Sequence, residues 1–442
     1  MLIKDFTPVL KMVSDFQIKT CRSCGHEGNF IEVMNLGEQY ISDFVDSEND
    51  QGTKVPLELI LCPNCNLLQL RHNAPNESMW GGKYWYKSGI NRMIREDLND
   101  IANCSEKLVD LKQGDIVVDI GCNDGTLLSF YDKSDLRLVG FEPSKNVAKE
   151  AEQKGIEVID NYFNSEDFRR RFGEKKAKVI TAISMFYDLE DPNKFMQDIV
   201  KCLDANGLFV IQQNYLVSML ERNAFDNVCH EHREYYSLSS LNHLLEKYNL
   251  EVFDVKLNDI NGGSIRTHIR FKGNNLMNSF KGSKERVAQT LEKENKMQLH
   301  TQKPYLEFAA RVDEAKNYLI KFVKNETAKG KTFGLCGAST RGNTILQYFN
   351  LTHESIKCAA EANSDKFGKK TVGTLIPIVS VDEMKRINPD YQIVMIWHLF
   401  ESLMNQEKDY LKNGGKFILP LSEFAIIEYS KEFDRLMVKK FL

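Results

Sequence analysis

Residues 229–236 read CHEHREYY and bring His230, Glu231 and His232 together in a chain with nine histidines. Histidines two apart share a face on a strand or extended loop, but not on a helix. Such a set suits metal ligation, proton transfer by an imidazole of ordinary pKa near 6.5, or mere packing. A second group is more explicit. Cys21-Arg22-Ser23-Cys24 and Cys62-Pro63-Asn64-Cys65 are two CxxC knuckles with 37 residues (25–61) between them. Two knuckles supply the tetrahedral four-thiolate set that Zn²⁺ prefers. Four thiolates leave no open coordination position, so the expected zinc is structural.

A third group lies in GDIVVDIGCNDGTLLSF (114–130). Ile116–Ile120 has the composition of a buried strand, and TLLSFY has that of a helix start. Between them Asp119, Gly121, Asn123, Asp124 and Gly125 form a tight turn, where Gly and Asn tolerate left-handed backbone close to a ligand. Such a turn also serves dinucleotide enzymes. RLVGFEPS (137–144) then gives a second strand with Glu142 at its end, placed for ribose hydroxyls. The helical NVAKEAEQKG leads into IEVIDNYFN, which ends a third strand at Asn161, Tyr162 and Phe163. AKVITAISMF is a fourth strand, and NGLFVIQQN, closing on Asn214, a fifth. Strands alternating with helices predict an α/β, doubly wound sheet.

These elements sit in a chain of 442 residues, enough for two or three domains. Hydrophobic residues make up 42 % and charged residues 27 %, an ordinary globular composition. Lys+Arg 58 against Asp+Glu 62 leaves a net charge of −4, which disfavours a nucleic-acid binder that works by neutralising phosphates. No apolar run is long enough to span a membrane, and MLIKDFTPVL lacks the core of a signal peptide. The expected location is cytoplasmic, where ten cysteines do not imply disulfides.

The C-terminal third begins with helical, charge-rich stretches (SKERVAQTLEKENKMQ, FAARVDEAKNYLIKFV) whose charges read as a solvated face. KTFGLCGASTRGNTILQYF then restarts a strand, glycine turn and helix, in which Ser339 and Arg341 could meet a phosphate. NGGSIR (261–266) offers a turn, and Arg266 could touch substrate.

The glycine turn lacks GxGxxG, and its short acidic form resembles a class I S-adenosylmethionine (SAM) methyltransferase. That likeness implies Asp119 and Gly121 beside the methionine, Glu142 on the ribose, and Tyr162 and Phe163 near the adenine. Taken in order, CxxC…CxxC, YWYKSGIN, DIGCNDGTLL, GFEPS, FDNVCHEHREYYSL, NGGSIR and GLCGASTRGN resemble the three-domain sugar C-3′-methyltransferases, from about residue 18 to 420. These act on nucleotide-linked 4-keto-deoxysugars. The resemblance implies an N-terminal zinc ribbon-like domain (1–75) and a class I SAM-methyltransferase Rossmann-like domain (76–275, with a helical lead-in over 76–112). A helical connector (276–330) and a second, smaller Rossmann-like domain (331–442) follow. It further implies SAM and structural Zn²⁺ as cofactors and a TDP-, GDP- or CDP-linked 4-keto-deoxysugar as substrate. No nucleic acid or membrane partner is expected, and the arrangement is compatible with a monomer.

Methylation at C-3′ needs a carbanion equivalent, which a neighbouring ketone provides as an enolate. The resemblance makes His232 the base, with Glu231 and His230 close by, and Tyr86 the N-terminal active-site tyrosine. Tyr84, Asn214, Arg266, Ser339 and Arg341 are the expected substrate contacts. One departure stands out. The family often has tyrosine just before HEH, and this chain has Cys229. Tyr84, Tyr86, Tyr235 and Tyr236 are candidate substitutes, and a different substrate is the other explanation. Rival functions are O- or N-methylation of a sugar nucleotide, a zinc-ribbon nucleic-acid methyltransferase or binding module, and a non-catalytic sugar-nucleotide sensor.

Overall fold

The computed structural model describes residues 16–440 apart from 51, 81–83, 132–135, 275–278, 401–402, 405–406, 422–423 and 431. The expected domain boundary at 275/276 falls outside the described residues.

Three sheets organise the chain. The central one has seven strands. From one edge they run Leu250–Asn258, Ser264–Phe271, Leu203–Asn214, Ala177–Ile183, Ile116–Ile120, Arg137–Phe141 and Glu157–Ile159. The last five are mutually parallel, and the first two close the sheet as an antiparallel pair. Ile116–Ile120 is buried at every position, as expected for a parallel strand covered on both faces. One expectation is corrected. TLLSFY does not open an α-helix, since only a 3₁₀ turn, Leu128–Phe130, follows the glycine turn. The apolar pair Leu127 and Leu128 is fully buried there, so packing holds the segment without a helix.

The zinc module is a sheet of Ile31–Tyr40, Lys54–Leu61 and Leu68–Leu70, joined by a fourth strand from far along the chain, Glu234–Tyr235. Tyr235 pairs with Leu68 and Glu234 with Gln69, so the residues just after HEH complete the zinc module's sheet.

Helices Ser283–Lys296 and Lys303–Ala328 lead to the third sheet. It is parallel through Ile378–Ser380, Ala359–Glu361, Phe333–Cys336, Tyr391–Val394 and Lys416–Leu419, then antiparallel through Ala425–Ser430 and Arg435–Lys440. Phe44–Val45 pairs with Lys370–Thr371, and Tyr40 exchanges two hydrogen bonds with Gln347, so this unit packs on the zinc module. It meets the central sheet at the NGG turn. A Cβ on Gly262 would come within 2.7 Å of Trp397, which makes glycine necessary at that crossing. Among the described residues no helix is long and apolar enough to cross a membrane.

Candidate active site

Two cavities lie at the carboxyl ends of the central strands, where ligands of open α/β sheets bind. The first, about 1270 Å³, is lined by Asp119, Gly121, Asn123, Glu142, Asn161, Tyr162 and Phe163, seven of the nine residues expected at the cofactor. Glu142 is buried and accepts from the backbone N–H of Asn123 (3.0 Å) and Ser144 (2.8 Å). Burial raises its pKa. Asp119 accepts from the Thr181 hydroxyl at 2.6 Å, and burial lifts its carboxyl to about 7. Phe163 packs edge-on to Phe141, leaving Tyr162 nearly half exposed at the rim.

Asp124 and Gly125 do not line this cavity. Asp124 accepts from Gly89 N–H (3.0 Å) and pairs with Lys154, while Asn123 accepts from Ser88 N–H and donates to the Tyr86 carbonyl. These bonds clip YWYKSGIN onto the glycine turn. Gly125 packs against Ala151, which a Cβ would approach to 2.9 Å.

The second cavity, about 1060 Å³, is where three parts of the chain meet. Ser42, Asp43 and Phe44 come from the zinc module, Thr340 and Lys369 from the third unit, and Cys229, Glu231 and His232 from the HEH loop. Trp80, Tyr84, Tyr86, Ser184 and Asp188 line both cavities and form their shared wall.

His232 Nδ1 lies 2.8 Å from the Asn227 carbonyl oxygen. A carbonyl can only accept, so Nδ1 carries the hydrogen and Nε2 keeps its lone pair. Burial and the charge of Arg341 lower this imidazole's pKa to about 3. Tyr187 packs edge-on to its ring, with centroids 4.5 Å apart. Glu231 Oε2 is buried with no hydrogen-bond partner among the described residues, and burial raises its pKa. The Asp188 pKa is raised well above the carboxylate range, by burial and then by Glu231.

His230 does not reach the cavity. It is buried, its Nε2 is 2.9 Å from the Val55 carbonyl of the zinc-module sheet, and burial lowers its pKa to about 4. Four expected substrate contacts are likewise engaged elsewhere. Arg266 is fully buried and pairs with Asp97 (2.7 Å) and Asp100 (2.6 Å) of helix Arg92–Leu108. Arg341 pairs with buried Asp226 at 2.5 Å and donates to the Asn261 carbonyl. Ser339 caps helix Thr340–Phe349 through the Gly342 N–H, leaving Thr340 to face the cavity. Asn214 also stands back from it, donating at 2.7 Å to the Asn227 side chain. The physical reason is shared. Long or polar side chains on buried strands and helix starts satisfy one another first.

Among the tyrosines weighed as substitutes at 229, Tyr84 and Tyr86 line both cavities. Tyr235 is buried with its hydroxyl 3.3 Å from the Asn227 carbonyl, and Tyr236 is buried with no hydrogen-bond partner for its hydroxyl among the described residues. Sequence reasoning missed Ser184, Tyr187, Asp188, Asn227 and Lys369. The first three follow the fourth central strand, so the switch-point rule alone pointed to them.

The four knuckle sulfurs lie within 4.8 Å of one another, with Cys21–Cys65 and Cys24–Cys62 at 3.6 Å. Tetrahedral Zn–S bonds of about 2.3 Å require sulfurs about 3.8 Å apart, so the set fits structural zinc. Arg22 ties the knuckle to its sheet by donating to Gln69 and the Leu70 carbonyl.

Profiles of three families match along the chain: a zinc binding domain over residues 21–80, a methyltransferase domain over 90–255 and a C-methyltransferase C-terminal domain over 259–422. The chain is 30% identical over 416 residues to the C-methyltransferase NovU of Streptomyces niveus, spanning 93% of this chain and 97% of that one. It is 24% identical over 156 residues to an uncharacterized methyltransferase of Alkaliphilus oremlandii, 35% of this chain and 70% of that one. The magnesium protoporphyrin IX methyltransferase ChlM of Synechocystis PCC 6803, solved with bound SAH, aligns with 42% of this chain and 90% of its own at TM-score 0.33 and 10% identity. With the zinc-binding set, the cavity at the glycine turn and a relative matched along nearly its whole length, this chain belongs to the SAM-dependent C-methyltransferase family.

Proposed function

We propose that the protein methylates C-3′ of a nucleotide-linked 4-keto-6-deoxysugar through an enolate, in the making of a branched deoxysugar. The observation that carries the reading is His232, its tautomer set by Asn227, on a cavity that shares a wall with the cofactor cavity. His232 Nε2 takes the C-3′ proton, and the bond's electron pair moves toward the C-4′ oxygen. General-base help of this kind is typically worth about 10²–10⁴-fold. Bound SAM supplies an electrophilic methyl whose bonding pair stays with sulfur. Lowering the imidazole pKa keeps the base free but weak, and negative charge growing on the enolate strengthens it as the proton arrives.

In this reading Asp119, Gly121, Asn123, Glu142, Asn161, Tyr162 and Phe163 hold the cofactor, and Tyr84 and Tyr86 face both ligands. The division at 75, 275 and 330 serves this plan, with the sugar nucleotide between the outer units. Lys369 is the one Lys or Arg among the second cavity's described lining residues, and with the start of helix Thr340–Phe349 it suits a diphosphate.

The test is mass spectrometry and NMR of products formed from SAM and TDP-, GDP- and CDP-4-keto-6-deoxysugars. A gain of one CH₂ with the new methyl on C-3′ supports the reading. A methyl on oxygen or nitrogen, or no product from any of them, overturns it.

A further inference from the structure

The HEH loop offers no phenol at 229, yet an enolate oxygen needs a donor. Tyr187 stands in the right place. It is buried and lines the second cavity with Cys229. Its ring lies edge-on to the imidazole of His232. Ser184, three residues earlier, belongs to the wall shared by both cavities and lines the second one together with Tyr187.

Ser184 is itself unusual. Its φ of +55° is a left-handed conformation that a serine adopts at some cost, and its N–H donates to the Gln212 carbonyl at 2.7 Å. Strain of this sort persists where surrounding structure imposes it, and here it sets a hydroxyl where methyl donor and acceptor must meet. Tyr84 and Tyr86 also line both cavities, but among the ring contacts of the described residues it is Tyr187 that packs on His232, while Tyr235 turns its hydroxyl to the Asn227 carbonyl.

We propose that Tyr187 is the enolate-stabilising residue of this enzyme, its hydroxyl donating to the acceptor's C-4′ oxygen while its ring holds His232 in place. The proposal rests on the enolate reading above. The proton from C-3′ goes to His232 Nε2, the electron pair becomes the C-3′–C-4′ double bond, and charge gathers on the C-4′ oxygen. Tyr187 keeps its own proton and acts by hydrogen bonding. Burial supports this, since it raises the phenol's pKa well above the ordinary value and keeps it a donor. A cysteine at 229 fits the same picture, because a small side chain leaves room for the ring of Tyr187.

The test needs no methyl donor. Wild type and Tyr187→Phe are incubated in D₂O with TDP-, GDP- and CDP-4-keto-6-deoxyglucose, and deuterium entry at C-3′ is followed by NMR. SAM affinity is measured in parallel by calorimetry. We expect exchange about 10²–10³-fold slower in Tyr187→Phe, the usual loss for one oxyanion donor, with SAM affinity within about twofold. Exchange at the wild-type rate would overturn the assignment while leaving the enolate reading intact. Wild type that exchanges none of the three sugars overturns both. Should Tyr187→Phe fail to fold, Ser184→Ala removes the hydroxyl beside Tyr187 on the cavity wall without disturbing the ring on His232. Exchange about tenfold slower there supports an oxyanion site on this wall, and unchanged exchange counts against it.

Discussion

His232 and Asn227 are joined by one hydrogen bond of 2.8 Å between Nδ1–H and a backbone carbonyl, and that bond decides which nitrogen faces the cavity. Because burial and Arg341 hold the imidazole pKa near 3, Nε2 should remain unprotonated throughout the working range. The ¹⁵N shift of His232 Nε2 is expected to stay that of a free base from pH 8 down to pH 5. A titration near 6.5 would contradict this. His232→Asn should lower turnover about 10²–10⁴-fold with SAM affinity retained.

The pairing of Tyr235 with Leu68 ties the zinc-binding module to the loop that carries His232. Cys62→Ser is expected to lose the metal, read by elemental analysis, and to raise amide exchange across 230–236 as the shared sheet loosens. Turnover should fall at least as much as in a loop mutant, while SAM still binds. Full activity without zinc would break the link.

Arg341 pairs with Asp226, which is 1% exposed, so removing the cation strands a buried carboxylate. Arg341→Leu should cost about 3 kcal/mol, seen as a lower denaturation midpoint at unchanged slope. Asp226→Asn in the same chain should recover most of it. A variant of normal stability whose only defect is a raised acceptor KM would restore Arg341 as a substrate contact.

Lys369→Ala should weaken the sugar nucleotide about tenfold, roughly 1.4 kcal/mol, with SAM affinity unchanged. Titration calorimetry with each ligand separately checks both halves. The loss should shrink as salt rises.

His268 is buried beside Arg266 and Arg286, and desolvation, then these charges, lower its pKa to about 3. The unfolded chain therefore binds this proton between about pH 6.5 and 3 while the native one does not, so stability is lost as pH falls through that window. His268→Asn removes this contribution, which changes by at most about 1.4 kcal/mol per pH unit. The gap in melting temperature between wild type and variant should narrow steadily below pH 6.5. A constant gap would show that His268 is protonated in the fold.

Much of this was legible in sequence. The CxxC pairs announce their geometry by spacing, and Ile116–Ile120, Glu142 and Phe163 follow from hydrophobic runs ending in polar residues. Arg266, Arg341 and Ser339 misled for a common reason. A polar residue in a ligand-like motif looks the same whether it faces a cavity or a neighbour 115 residues away, as Arg341 faces Asp226. Tyr187 escaped notice because MFYDLED carries no spacing rule, and only the fold brings it against His232.

The strand Glu234–Tyr235 has a consequence for how the molecule is made and divided. Residues 16–75 alone would present Leu68–Leu70 as a bare sheet edge, an invitation to pair with another chain. Their natural cover lies 167 positions downstream, counting from Leu68 to Tyr235. Closing so long a loop is entropically slow, so the module and the loop that carries His232 should mature together and late in folding. Exchanging the module between relatives therefore means exchanging both sequences, because the edge and its cover are one unit of inheritance.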